Sequence, residues 1–136
     1  MNDLDDFLAR QADAEAAFHQ GDPEPRMQLW SHRDPVTLFG AAGMYKSGWD
    51  ELRQTFPWVA SRFSTVTDYR FEVLAADARG DMAYAIGYEC FNGSIDGRPV
   101  EPITVRSTHV YRREEGEWKI VHRHGDNPPP DPTAPD

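Results

Sequence analysis

The chain has 136 residues, of which 39% are hydrophobic and 12% aromatic, and this is typical of one folded domain with a single core. Its formal net charge of −9 argues against nucleic acid or an anionic membrane surface as the main partner. No apolar run is long enough to span a bilayer, and the acidic start lacks a signal-peptide pattern. A lone cysteine cannot form an intrachain disulfide, so we expect a cytoplasmic protein.

The N-terminal part of the chain has the apolar spacing of helices. Apolar residues recur at helical intervals from Leu4 to Phe18, with acidic residues between them, and predict an amphipathic first helix. Pro25 is placed to open a short second helix. Helical spacing returns in "WDELRQTFPWVASRF", where Pro57 is expected to kink or restart the helix.

Strand patterns lie between and after these helices. The apolar, β-branched "PVTLFG" predicts a short strand, and "AAGMYKSG" after it is predicted to be a loop. From Ser64 onward the apolar period changes to two, and turn residues divide the rest into four strands. Because the turns have the character of hairpin loops, the sheet should be largely antiparallel.

Helices followed by a meander of strands predict an α+β fold, with a cone-shaped, curved, mainly antiparallel sheet wrapped on the N-terminal helices. Residues 1–126 should form one domain, and the proline-rich acidic residues 127–136 a disordered tail. Helices cannot fill the whole concave side of such a sheet, so a cavity should remain between the layers. The outer face also carries large apolar groups, which predicts a homodimer.

Aromatic side chains and the last two strands are expected to wall this cavity. An apolar wall suits a small apolar or ring-containing metabolite, and no sequence pattern calls for a cofactor. The predicted pocket residues are Trp30, Phe39, Trp49, Phe56, Trp58, Tyr111, Val121 and Arg123.

The turn in "EEGEWKIVHRHGD" decides which face of the sheet each nearby histidine occupies. A two-residue loop would place His109, His122 and His124 on one face, as a three-histidine metal site requires. A three-residue loop over residues 114–116 instead places His109 on the same face as Arg123. We favour the three-residue loop, because a primed two-residue turn prefers Asn or Asp before the glycine.

On the favoured register the histidines do not form a common site, and no metal ligands are assigned. His122 and His124 then point outward and are predicted to lie in the dimer interface. His19 and His32 fall at the edges of predicted loops, where exposure to solvent is expected.

Two residues of the strand meander are candidates for chemistry. His109 shares its predicted face with Tyr111 and titrates near neutral pH, so it suits acid–base work. Glu89 is a charge inside "AYAIGYECF", among small residues of the same face. It is either exposed at a sheet edge or a pocket acid paired with His109 or Arg123.

The order of segments resembles the nuclear transport factor 2-like superfamily, and within it the SnoaL-like and ketosteroid isomerase-like proteins. The likeness covers roughly residues 3–126 and is carried by "VTLFG", "GWDEL" and the final meander. "IDGRP" and "STHVYRREEGEWKIVHRHG" are locally similar to the association domain of calcium/calmodulin-dependent kinase II. The resemblance implies a cystatin-like α+β barrel, whereas functions within the superfamily are diverse.

The superfamily's functional residues carry over only in part. The general base of ketosteroid isomerases would fall near Phe39 and their oxyanion-hole tyrosine near Ala14, and neither residue here can do that work. Their second oxyanion acid, and a pocket arginine of the kinase association domain, both correspond to His109. A second arginine of that domain corresponds to Glu89, whose charge is opposite. Ketosteroid isomerisation is therefore disfavoured, while His109 remains the expected working residue.

The sequence thus predicts a small-molecule-binding protein with a cofactor-independent activity of isomerase, cyclase or hydratase type, in which His109 is the acid–base group and Glu89 or Tyr111 orients it. One alternative is a non-catalytic dimerisation or ligand-binding module with the same fold. A second alternative is a histidine metal site. No catalytic triad order, phosphate-binding loop or dinucleotide fingerprint is present in the sequence.

Overall fold

The computed structural model of the protein describes residues 3–133, apart from the side chains of residues 100 and 101. In this part of the chain three helices accompany one six-stranded sheet. The elements are α1 (Asp3–Phe18), α2 (Glu24–Leu29), β1 (Thr37–Phe39), β2 (Tyr45–Ser47), α3 (Trp49–Ser61), β3 (Phe63–Arg79), β4 (Met82–Ile95), β5 (Arg98–Glu114) and β6 (Glu117–Asp126).

Helix α1 forms where the apolar spacing predicts it. Three aspartates in its first turn complement the positive end of the helix dipole. Its buried face follows the i, i+3, i+4 spacing of an amphipathic helix and includes two polar residues, Gln11 and Glu15. These two side chains point toward the sheet, where they need polar partners.

The sheet has the strand order β2-β1-β6-β5-β4-β3, and all neighbours are antiparallel except β1 and β6, which are parallel. This confirms the predicted α+β fold with a mainly antiparallel curved sheet. The segment predicted as a loop after β1 contains a further strand, β2, which pairs with β1. Helix α3 runs through Pro57 as one helix, so the predicted restart there is not observed.

The turn between β5 and β6 differs from the favoured prediction. Glu114 pairs with Glu117, so the loop has two residues, Glu115 and Gly116, with φ angles of 52° and 81°. The three-residue loop is therefore wrong, because Glu115 adopts the left-handed conformation that a two-residue primed turn requires. The pairing then shifts by one residue at Val121, which forms a β-bulge.

Because of this bulge, His109 and Arg123 still share one face of the sheet, as the three-residue loop predicted. Tyr111 pairs with Ile120, but Val110 pairs with His122, and His109 therefore pairs with Arg123. His109 and Arg123 share the concave face, whereas His122 and His124 point to the outer face. A metal site made of His109, His122 and His124 is excluded by this arrangement.

A second irregularity lies between β3 and β4. The β3 backbone shifts register between Val73 and Ala75, opposite Gly87. A Cβ atom on Gly87 would lie 2.1 Å from the carbonyl oxygen of Glu72, so only glycine allows this approach. The irregularity bends the long strand and helps curve the sheet around the helices.

The hydrophobic core lies between the helices and the concave face of the sheet. Aromatic and aliphatic side chains from every helix and most strands meet there. Its largest buried members are Phe7, Phe18, Trp30, Leu52, Phe56, Tyr111, Trp118 and Ile120.

The described residues beyond the last strand, 127–133, contain neither helix nor strand. Residues 134–136 of the predicted tail lie outside the described part of the chain. Among residues 3–133 no helix is both long and apolar enough to cross a membrane.

Candidate functional site

A cavity of about 220 Å³ opens between the end of α1, the β1–β2 loop and the concave face of β4, β5 and β6. Most of its wall is apolar, and a small group of polar side chains lies on its floor. The apolar wall includes Phe18, Leu38, Met44, Val59, Phe91, Ile103 and Val105, and the charged and imidazole groups are His19, Arg26, Arg62, Glu89 and Arg123.

Two ion pairs form the floor of the cavity. Arg26 donates from Nε to Oε2 of Glu15 at 2.7 Å and from Nη2 to Oε1, and its guanidinium stacks 3.4 Å from the ring centroid of Phe18. Arg123 donates from Nη1 to Oε1 of Glu89. Both pairs are buried, and their two positive and two negative charges cancel. The pairing of opposite charges offsets the free-energy cost of removing these four groups from water.

The two ion pairs belong to one connected cluster. Nη1 of Arg123 lies 4.0 Å from Oε1 of Glu15, which joins the pairs electrostatically. The hydroxyl of Tyr69 donates to the second oxygen of Glu89 at 2.7 Å. Burial, the largest single effect, would raise the pKa of Glu89, but the charge of Arg123, the neighbouring histidines and the hydrogen bond from Tyr69 together outweigh it and hold this pKa well below its usual range. Burial beside the same carboxylate raises the pKa of Tyr69.

Local geometry explains how the sequence brings these groups together. Glu15 and His19 lie one turn apart at the end of α1 and so share a face of that helix. The sheet register places His109 between Ala85 on β4 and Arg123 on β6. A Cβ atom at Gly125 would lie 3.2 Å from Nη2 of Arg123, so the glycine leaves room for the guanidinium.

His19 is held in one tautomer. Its Nδ1 lies 2.7 Å from the backbone carbonyl oxygen of Glu15, which can only accept, so Nδ1 carries the proton. Nε2 has no partner among residues 3–133, yet it is not sealed from solvent-sized molecules. The ring stacks on Tyr69 at 4.5 Å, and burial lowers the pKa of His19, so the imidazole is neutral with its lone pair available.

His109 lies behind this floor and does not line the cavity. It is 2% exposed, and its Nε2 accepts from Nη1 of Arg123 at 3.2 Å. Its Nδ1 is sealed and has no partner in the described part of the chain. Burial and the charge of Arg123 hold the pKa of His109 well below its ordinary value. His109 is therefore placed to hold Arg123, while His19 is the histidine at the cavity.

One group of residues in the cluster has the geometry of a metal site. Ligand atoms of Glu15, His19 and Glu89 all lie within 4.8 Å of one another. However, Arg26 and Arg123 already donate to the carboxylates, and a divalent cation would have to compete with two buried guanidinium groups. The donor set therefore suits an ion-pair cluster better than a metal.

Of the eight predicted pocket residues, only Arg123 lines this cavity. Trp30, Phe56, Tyr111 and Val121 are buried in the core instead. Glu89, for which two placements were open, is the buried acid paired with Arg123.

Three other predicted pocket residues lie away from the cavity. Phe39 is 44% exposed, because its strand continues the outer face and its ring packs against those of His122 and His124. Trp58 is 55% exposed on α3. Trp49 stacks on His32 at 3.9 Å, outside the cavity wall. The pocket assignments of these three residues are wrong, since apolar residues in short elements could not be assigned to a face.

The sequence did not reveal several polar residues of the site, among them Glu15, His19 and Arg26. His19 was expected to be exposed, but it is 4% exposed beneath residues of β3 and β4. A usable signal existed in α1: Gln11 and Glu15 fall on the apolar face, four residues apart, and His19 continues that spacing. Arg26 has no such signal, because its partner lies on a different helix.

Comparisons with known proteins agree with this architecture. The sequence profile of the SnoaL-like domain matches residues 9–129. A protein from Streptomyces avermitilis, provisionally named as a dehydratase of the nuclear transport factor 2-like family, has a TM-score of 0.73 and 22% identity over 90% of this chain and 93% of its own.

Two further solved structures share the fold. A protein of Thiobacillus denitrificans, provisionally named as a calcium/calmodulin-dependent kinase II association domain, has a TM-score of 0.72 and 20% identity, with 86% and 91% of the two chains covered. One from Parabacteroides distasonis, provisionally named as a ketosteroid isomerase, has a TM-score of 0.67 and 17% identity, with 90% and 86% covered. No curated protein sequence is significantly similar to this chain. The profile match over most of its length shows that the chain belongs to the SnoaL-like family.

Proposed function

We propose that this protein binds a small, largely apolar metabolite in its cavity and transfers a proton on it, with His19 as the acid–base group. The observation that carries the proposal is the accessible, unpartnered Nε2 of a buried neutral histidine at the end of an apolar cavity. A ring-containing ligand and an isomerase- or hydratase-like reaction without a cofactor fit this site.

His19 replaces His109 as the acid–base candidate for a geometric reason. A general base must reach the proton that it removes. The free nitrogen of His109 is sealed and its other nitrogen is bound to Arg123, whereas Nε2 of His19 is accessible. Its lowered pKa keeps His19 in the basic form at neutral pH.

Arg123 supplies the second group that such chemistry needs. Its Nη1 serves Glu89 and His109, while Nη2 and Nε have no partner among the described residues. A ligand oxygen that gains negative charge when His19 removes a proton would be stabilised by these free donors. The pair therefore suits proton abstraction next to a carbonyl group.

The cavity also limits the size of the ligand. Its volume of about 220 Å³ lies below the roughly 300–1,000 Å³ of pockets that hold drug-sized ligands. A monocyclic compound is the appropriate size, which makes cyclohexanone a suitable first probe.

Binding is tested by NMR titration of cyclohexanone, and proton transfer by its hydrogen–deuterium exchange at the α-carbon in D₂O. We expect both with the natural protein. His19→Asn keeps a donor near the position of Nδ1 but removes the basic nitrogen, so exchange should fall by roughly 100-fold or more while binding persists. Equal exchange rates in His19→Asn and the natural protein would remove His19 from the proposal.

A matched pair of variants locates the bound probe. Ile103 lines the cavity and Ile86 lies on the outer face, 41% exposed. Ile103→Trp should abolish cyclohexanone binding by filling the cavity, whereas Ile86→Trp should leave it intact. Loss of binding in neither variant, or in both, would contradict the cavity as the binding site.

Assembly through the outer face of the sheet is a second proposed function. Leu74, Met82, Tyr84 and Ile86 are each more than a third exposed on neighbouring strands, and an apolar surface of this kind favours association. The structural relative from Thiobacillus is named as an association domain. We expect a homodimer in light scattering, which Ile86→Lys should convert to monomer, while Glu51→Lys, at an exposed position of α3, should not. A monomeric natural protein would contradict this role.

A further inference from the structure

We infer that the cavity selects an uncharged ligand that donates a hydrogen bond to Nε2 of His19 and accepts one from Arg123, even though three arginines line it. This inference rests on the proposed binding function and names the chemical class of its ligand. Arginines in a cavity ordinarily indicate an anionic ligand, and the contacts here indicate the opposite.

The first step is the charge balance of the floor. Glu15 takes two hydrogen bonds from Arg26, and Glu89 takes one from Arg123. The third arginine of the lining, Arg62, is paired with Asp96. With all three guanidinium charges compensated, the site has no net charge left to attract a carboxylate. An entering anion would lose its hydration and gain a carboxylate neighbour, which is costly in a buried site.

The second step is the set of hydrogen-bonding atoms that remain. Nδ1 of His19 is bound to a backbone carbonyl, so the lone pair on Nε2 can accept a hydrogen bond from a ligand. Arg123 lines the cavity and has donors other than the Nη1 that Glu89 and His109 occupy. A hydroxyl can donate to the first and a carbonyl oxygen can accept from the second. A ligand with only acceptors, such as a carboxylate, would leave Nε2 of His19 facing another lone pair.

Three matched probes test this class by NMR or calorimetric titration. They are 2-hydroxyacetophenone, acetophenone, which lacks the hydroxyl, and phenylglyoxylate, which carries a carboxylate in its place. We expect 2-hydroxyacetophenone to bind roughly 3- to 10-fold more tightly than acetophenone, as one added hydrogen bond allows. Phenylglyoxylate should bind more weakly than either.

Variants make the test specific to the named atoms. His19→Asn should remove the preference for the hydroxyl, so that the two neutral probes bind equally. Glu89→Gln leaves the charge of Arg123 uncompensated and should strengthen the binding of phenylglyoxylate relative to 2-hydroxyacetophenone. Glu15→Gln frees Arg26 in the same way and replaces Glu89→Gln if that variant does not fold.

The outcomes separate this inference from the proposed function. Tighter binding of phenylglyoxylate than of 2-hydroxyacetophenone to the natural protein would overturn the inference and leave the cavity as an anion site. An unchanged hydroxyl preference in His19→Asn would also overturn it. If none of the three probes bound, the proposed function itself would fail, and the inference with it.

Discussion

Arg123 is the residue that connects all parts of the site. One of its nitrogens serves Glu89 and His109, and the guanidinium also lies near Glu15. Because both members of the Arg123–Glu89 pair are buried, each depends on the other for tolerance of its charge. The pair therefore matters for stability as well as for ligand binding.

Removal of the arginine alone should be severe. Arg123→Met leaves the Glu89 carboxylate buried without its counter-charge, and we expect a loss of about 3–5 kcal/mol in the free energy of unfolding. The double variant Glu89→Gln/Arg123→Met removes both charges and should recover most of this loss. Urea unfolding measures both values, and an equal loss in the single and double variants would show that the pairing is not what Glu89 requires.

At the scale of single residues the sequence placed Arg123 on the concave face and left Glu89 open between an exposed edge and a pocket acid, and it did not assign their helical neighbours to the site. Arg123 was assigned to the concave face through the register of β6, and Glu89 stood out as a charge within an apolar strand. The burial of His19 was not predicted, because the residue follows the end of a helix, where the local pattern indicates exposure to solvent. Its burial comes from Phe63 and Phe91, which approach only in the folded chain.

Among the elements, the β5–β6 hairpin contains two features that were not predicted, a two-residue turn and a β-bulge. Their effects on which face each side chain occupies cancel. Preference for Asn or Asp before the glycine argued against the two-residue turn that the chain adopts. The bulge at Val121 then moved His109 and Arg123 onto one face, as the three-residue loop would have done. Such a bulge follows from packing across the strand, which turn residues alone do not encode.

The turn conformation gives a test on stability. Glu115 has a φ of 52°, which costs an ordinary residue energy that asparagine largely avoids. We expect Glu115→Asn to raise the free energy of unfolding by about 0.5–1 kcal/mol. Loss of the exposed ion pair with Arg33 should offset little of this gain.

Glu117 provides the matched control, because it is also exposed but lies in the strand itself. Glu117→Asn should be neutral or slightly destabilising, since asparagine is a poor strand former. Chemical denaturation of the two variants compares them directly. A three-residue loop would place Glu115 in ordinary right-handed backbone, and equal effects of the two substitutions would favour that loop.

For the whole molecule, the alternation of helical and two-residue periods was enough to predict the α+β architecture, which depends on which face of each element is apolar. The missed β2 is three residues long with little apolar character, so no period could reveal it. The position of the cavity was predicted between the layers, whereas most of its wall was not. Wall residues are selected by the twist and bulges of the sheet, and these are properties of the assembled fold.

The buried, neutral histidines of the site should make the stability of the whole fold depend on pH. Burial holds the pKa values of His19 and His109 below that of an unfolded histidine, about 6.5, so the unfolded chain binds protons first as the pH falls. Stability should therefore be complete above about pH 6.5 and decline below it. If both histidines stay neutral in the fold, the loss between about pH 7.5 and about pH 5.5 should approach 2–3 kcal/mol.

Urea unfolding at these two pH values measures the effect. His19→Asn should remove part of the decline, because asparagine does not titrate, and the lowered pKa of His122 adds a contribution of the same sign in both proteins. Protonation of Glu89 does not contribute in this pH range. Its pKa is lowered, so the fold loses the stabilisation that comes from this carboxylate only below the usual pKa range of carboxyl groups. The overall charge of −9 acts in the other direction, since partial neutralisation in acid relieves self-repulsion. Because this effect is the same in the natural protein and in His19→Asn, the difference between the two isolates His19. An equal pH dependence in both would mean that His19 accepts a proton inside the fold, and that the cluster is not the neutral site from which the proposed chemistry and the preference for uncharged ligands were derived.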